Sequence, residues 1–110
     1  MNNNTLVSPL PAPKTGYGDV WEDIIETFPI SKFREVCEER REFGVKKYGQ
    51  GLQYSDGRDA LVDLFQELLD GIVYARKAVK EEKLDVAVYF NILNLAIVVH
   101  EKILTRDQLE

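Results

Sequence analysis

Hydrophobic positions recur at three- and four-residue steps through much of the chain, and the plainest run is Arg58 to Glu82. There Leu61, Leu64, Leu68, Ile72, Ala75 and Val79 fall on one face of a 3.6-residue helix, the pattern of a core-facing element. A second stripe, Asp63, Glu67, Asp70 and Tyr74, keeps the same rhythm about half a turn away, with no Lys or Arg among them until Arg76 and Lys77. Like charges four apart cost an isolated helix roughly 0.2–0.5 kcal/mol per pair, so this stripe calls for a compensating cation.

Upstream, Ser31 is placed to cap a long helix running to Tyr48, with Gly49 and Gly51 supplying the break. Phe33, Val36, Cys37, Gly44 and Tyr48 share one side of it, and Glu35, Glu38, Glu39 and Glu42 the other. Asp19 reads as the N-cap of a short helix carrying Trp21, Ile24, Ile25 and Phe28, stopped at Pro29. The stretch QGLQYSDG reads as a loop, with the central helix beginning near Gly57 or Arg58. A break at Lys83-Leu84-Asp85 leads into a third long helix, Val86 to about Leu104, apolar nearly all round, which predicts that it faces a second copy of the chain. Residues 1–16, with Pro9, Pro11 and Pro13 and no periodicity, predict an extended or disordered arm; residues 17–110 form the helical domain. The fold expected is all-α: an antiparallel bundle of three long helices plus a short N-terminal one, completed by oligomerisation.

Composition narrows the functional classes. With 14 basic and 19 acidic residues and a formal charge of −5, neither nucleic acid nor an anionic membrane is the expected main partner. The single cysteine, Cys37, needs no oxidising compartment; on the apolar side of its helix it is expected to be buried and inert. The N-terminus lacks the charged start and apolar run of a signal peptide, and the apolar stretch Val86–Val99 falls short of the ~20 residues of a membrane span. A cytoplasmic location follows as the expectation. His100, among Ile97, Val99 and Leu104, reads as a core or interface histidine.

If the helices ending at Tyr48 and beginning near Arg58 pack antiparallel, Glu38 comes opposite Leu68, within about a turn of Glu67 and Asp70. Carboxylates converging from two helices without an intrinsic cation suit Mg²⁺, or Mn²⁺, hard ions that take oxygen ligands. Glu38-Glu39-Arg40-Arg41-Glu42 reads EExxE and Glu67-Leu68-Leu69-Asp70 reads ExxD. This pair, with the surrounding REFGVKKYGQGLQ and QELLDGIVYARK, resembles the signature of the MazG-like all-α nucleoside triphosphate pyrophosphatases, in particular short members from bacteriophages and bacteria. The resemblance covers residues 31–105. It implies Mg²⁺-dependent cleavage of a nucleoside triphosphate to a monophosphate and pyrophosphate, with Glu38, Glu39, Glu42, Glu67 and Asp70 as metal ligands and Glu38 or Glu39 as the base. Lys46, Lys47 and Arg58 are then candidates for phosphate oxygens, and Tyr48, Tyr54 or Tyr74 for base or sugar.

A rival register gives the EExxE part to Gln66-Glu67-Leu68-Leu69-Asp70 and the second motif to Asn91-Ile92-Leu93-Asn94, where both acids have become amides. In that register the chain binds or sequesters a nucleotide or nucleotide-derived signal without hydrolysing it. Arg34 and Arg41, at the edge of the first acid face, offer a further alternative, simple pairing with the glutamates that needs no metal. An acidic protein that mimics DNA is the third reading, weakened by the Lys and Arg interspersed among the acids.

Overall fold

A computed structural model describes Leu6 and residues 16–109. The expected arm, residues 1–16, therefore lies outside the described residues except for Leu6 and Gly16. The chain is mostly helical, as the pattern predicts, and its elements in order are β1 (Tyr17–Asp19), α1 (Val20–Ile25), α2 (Lys32–Tyr48), β2 (Gln53–Tyr54), α3 (Ala60–Lys80) and α4 (Val86–Leu109). The described residues form two compact units, residues 16–58 and residues 59–109, the latter with Leu6.

In the first unit β1 pairs antiparallel with β2, Tyr17 opposite Tyr54 and Asp19 opposite Gln53. No strand was expected in the loop QGLQYSDG: two- and three-residue strands carry no readable alternation. Their pairing depends on close approach, because a Cβ at Gly51 would overlap Oδ2 of Asp19. Asp19 organises the unit. Its carboxylate caps α1 by accepting from the Glu22 amide at 3.0 Å, and Arg41 of α2 donates to it from Nη2 at 2.8 Å and Nε at 3.2 Å. The Arg41 guanidinium holds the Asp19 carboxyl below its ordinary range.

Helix α2 begins where Ser31 Oγ accepts from the Arg34 amide and ends at Gly49, whose φ of 85° is left-handed. Arg34 Nη1 donates to the Phe28 carbonyl at 3.1 Å, and the Phe28 and Phe33 rings lie 5.3 Å apart, so the turn from α1 into α2 is fastened from both sides. Ile25 and Cys37 are the buried apolar residues of this unit.

The second unit is a helical hairpin. Helix α3, expected to begin near Gly57 or Arg58, starts at Ala60 with Asp59 as its cap: Asp59 Oδ1 accepts from the Leu61 and Val62 amides at 3.2 and 3.3 Å. Arg106 of α4 also reaches Asp59, at 2.9 Å to Oδ2 and 3.1 Å to Oδ1, tying the start of α3 to the last turns of α4. Burial raises the Asp59 carboxyl, but the Arg106 guanidinium and the two amides outweigh it and leave it below the ordinary value. The core comprises Val62, Phe65 and Ile103, with Leu6, Leu61, Leu69 and Val99 packed against it. Fully burying side chains such as Val62 and Ile103 contributes about 1.5–3 kcal/mol each.

Two expectations shift here. Leu64, placed by periodicity on the core face, is 47% exposed, while Val62 and Phe65 face inward. On a helix apolar over so much of its circumference, the partner decides which stripe is covered. Helix α4 runs to Leu109 rather than stopping near Leu104, since Thr105 to Leu109 includes neither Gly nor Pro. At that length Val86–Gln108 is long and apolar enough to cross a membrane by length and composition alone.

Candidate acidic site

The residues singled out by the sequence sit on α2, on α3 and at the entry to α3. A shallow cleft of about 270 Å³ in the first unit is lined by Glu22, Ile25 and Glu26 from α1 and its end, and by Glu38, Arg41 and Glu42 from α2. Glu38 and Glu42, four residues apart, present their carboxyls on one face of α2. Glu22 on α1 and Glu26 at its C-cap repeat that spacing, a signal the sequence carries beside the apolar positions of α1.

The cations near this cleft are partly committed. Arg41 bridges Asp19 and Glu22, the latter at 3.0 Å, and the two acids hold its guanidinium protonated above even its ordinary range. Arg34 Nε lies 3.2 Å from Glu38 Oε1, the i, i+4 pairing anticipated for it. Of the five expected metal ligands, Glu38 is thus the one held by an ion pair among the described residues. Glu39 and Glu42 are exposed on α2, and Glu67 and Asp70 are exposed on α3.

Lys46, Lys47, Tyr48 and Tyr74 of the candidate nucleotide contacts are also solvent-facing. Lys46 and Lys47 occupy the last turn of α2, where cations suit the helix dipole, and Lys47 Nζ sits 5.2 Å from the Tyr48 ring centroid. Arg58 is half-buried, its amide donating to the buried Asp56 carboxylate at 3.0 Å in a turn that leads into α3. Tyr74 is exposed beyond Asp70. Tyr54, by contrast, is engaged: its hydroxyl donates to the Asp23 carboxylate, and that bond pushes the phenol above its ordinary value. Cys37 is buried, as expected, and His100 stacks on Phe65 with ring centroids 5.3 Å apart, a packing role.

The candidate ligands are carboxylates throughout, the oxygen donors a hard cation takes, but the described residues do not bring them together. Among the described residues no group of three or more His, Cys, Asp or Glu is gathered closely enough to hold a metal ion. No family model, curated protein or solved structure matches the chain.

Proposed function

We propose that the protein is a Mg²⁺-dependent nucleoside triphosphate pyrophosphohydrolase of the MazG-like kind, working as a homo-oligomer. The observation that carries the reading is the acid-lined cleft, which joins the first and last glutamates of the EExxE motif, Glu38 and Glu42, to Glu22 and Glu26, with Arg41 as the cation in its lining. Glu39 of the same motif and Glu67 and Asp70 of the ExxD motif complete the proposed ligand set. A divalent ion bound by these groups supplies neutralisation of the polyphosphate and an acidified water. The chain's own parts are then to position that ion, to offer an unligated Glu38 or Glu39 as base, and to meet phosphate oxygens with Lys46, Lys47 or Arg58. Tyr48 and Tyr74 offer exposed ring faces to a base or sugar.

Helix α4 supports the homo-oligomer. Phe90, Leu95, Ile97, Val98 and Leu104 are solvent-exposed on it, while Asn91, Asn94, Glu101 and Thr105 interrupt any lipid-facing band. Such polar positions are costly in hydrocarbon and ordinary at a protein interface, so a second copy covers this helix better than a bilayer does. The bundle expected from sequence is complete only in that assembly.

A second reading is favoured by the Arg34–Glu38 pair, which neutralises one carboxylate without a metal: the protein binds a nucleotide or nucleotide-derived signal and does not turn it over. Incubation with a panel of ribo- and deoxyribonucleoside triphosphates and Mg²⁺ separates the two. Release of pyrophosphate and monophosphate supports the enzyme. Nucleotide-dependent thermal stabilisation without products supports the binding module.

A further inference from the structure

Helix α4 turns Ala96 and Ile103 into its own hairpin, 3% and 0% exposed, and leaves an apolar ridge uncovered beside them. Val86, Phe90, Leu93, Ile97, His100 and Leu104 follow one another at steps of four, three, four, three and four residues, which keeps them on one side of the helix. Val86, Phe90, Ile97 and Leu104 are 44%, 53%, 50% and 43% exposed, and Leu93 and His100 are half-buried. The other exposed run on α4, Val88, Asn91, Leu95, Val98 and Lys102, is broken by an amide and a cation.

Charge and spacing choose what covers this ridge. From Val86 to His100 there is no Asp, Glu, Lys or Arg. The exposed side of α2 carries Arg40 and Lys47 among Phe33, Val36 and Phe43, and laid on that stretch those cations would be desolvated without an acid to meet them. A bilayer would take in Asn91 and Asn94 halfway along the helix. Helix α4 itself matches on both counts. Its series of steps reads the same from either end, so an antiparallel copy sets Leu93 level with Ile97, Phe90 with His100 and Val86 with Leu104. Asn94, exposed on the flank of the ridge, then comes beside its own counterpart, and each amide has both a donor and an acceptor to exchange. The two copies of Glu101 lie six residues to either side of the centre, about 18 Å apart along the axis, which is beyond screening distance.

We infer that α4 of one chain packs antiparallel on α4 of a second copy, about a two-fold axis level with Leu95, with the paired Asn94 amides fixing the register. One such seam closes with two chains and covers the ridge of both. A slip of one turn in either direction separates the two amides and leaves a ridge residue unmatched at each end. The seam rests on the homo-oligomer reading above and is independent of the metal reading.

Two single-cysteine chains of different tagged length test the seam, each in a Cys37→Ala background: Leu93→Cys in one and Ile97→Cys in the other. Mixed under mild oxidation, they give a disulfide-linked heterodimer on non-reducing gels, and a Val88→Cys with Lys102→Cys mixture, level with each other but on the opposite flank, does not. Sedimentation gives a dimer mass for the wild type, and Ile97→Glu, at a half-exposed position, raises its dissociation constant by about tenfold or more while circular dichroism stays helical. A dimer mass with no Leu93–Ile97 cross-link, or with equal cross-linking by the control pair, overturns the seam and leaves the homo-oligomer standing. A monomer at every concentration overturns both, as does a monomer that co-sediments with phosphatidylcholine–phosphatidylglycerol vesicles. Pyrophosphate release assayed on the same samples keeps the hydrolase apart: a cross-linked dimer without turnover retains the seam and removes the enzyme.

Discussion

Replacing Asp59 tests how the α3–α4 hairpin is closed. The carboxylate does two jobs at once: it caps α3 through the Leu61 and Val62 amides, and it receives Arg106 from α4 at 2.9 and 3.1 Å. Loss of an N-cap costs about 1 kcal/mol. The ion pair, with side chains 28% and 33% exposed, is screened by solvent and adds about 0.5–1 kcal/mol. Asp59→Ala is therefore expected to cost about 1.5–2 kcal/mol, and Asp59→Asn, which keeps a capping oxygen and loses the charge, about half of that. On a domain of this size the Ala variant lowers the melting temperature by roughly 5–10 °C. Urea denaturation followed by circular dichroism reads both, and a cycle with Arg106→Gln isolates the pair.

The pH dependence has a definite sign. The Asp59 carboxyl sits below its ordinary value of 3.8 in the folded chain, so the unfolded chain takes up the proton first on acidification. Its contribution is complete above that ordinary value and disappears as pH falls through the lower folded one. The difference between wild type and Asp59→Asn should hold from neutrality down to about pH 5 and shrink below about pH 4. Equal stability of wild type and Asp59→Ala at neutral pH, or a gap that widens in acid, refutes the reasoning.

Other outcomes follow from single positions. Asp19→Ala removes the α1 cap and the acceptor for Arg41, and should cost about 1–2 kcal/mol from the cap alone in urea unfolding of the first unit. Gly51→Ala should disturb the same place, because its new methyl would overlap Asp19 Oδ2; amide exchange at Asp19 and Gln53 would quicken. Glu82 has a left-handed φ of 60° just past α3, where Lys83 N donates to the Ala78 carbonyl at 2.8 Å, so Glu82→Gly should stabilise by about 0.5–1 kcal/mol. Gly49→Ala, at a φ of 85°, should destabilise by about 1 kcal/mol, and thermal unfolding checks both signs together. On the hydrolase reading proposed above, Glu67→Gln and Glu38→Gln should each cut pyrophosphate release at least about tenfold.

What was legible in the sequence was local. Ser31 and Gly49 bound α2, Asp19 caps α1 and Val86 starts α4 because capping side chains act on amides within a few residues of themselves. Features set by distant partners were not legible. The β1–β2 pairing depends on Gly51 admitting Asp19 across the chain, and the inward face of α3 is chosen by Ile103 and Val99 rather than by its own periodicity. The same division holds for the acids. Arg34 with Glu38 could be read from their spacing, whereas Glu22 and Glu26 join Glu38 and Glu42 only through the packing of α1 on α2. Arg41, read from sequence as a neighbour of glutamates, is claimed by Asp19, twenty-two positions away.

Binding of Mn²⁺, followed by the loss of its free-ion electron paramagnetic resonance signal, addresses the central claim most directly, because it reads the carboxylates without requiring the right nucleotide. Saturable uptake by the wild type, weakened about tenfold or more in Glu67→Gln and in Glu39→Gln and competed by Mg²⁺, is the predicted result. A free-ion signal unchanged by the protein, or uptake indifferent to both substitutions, contradicts it.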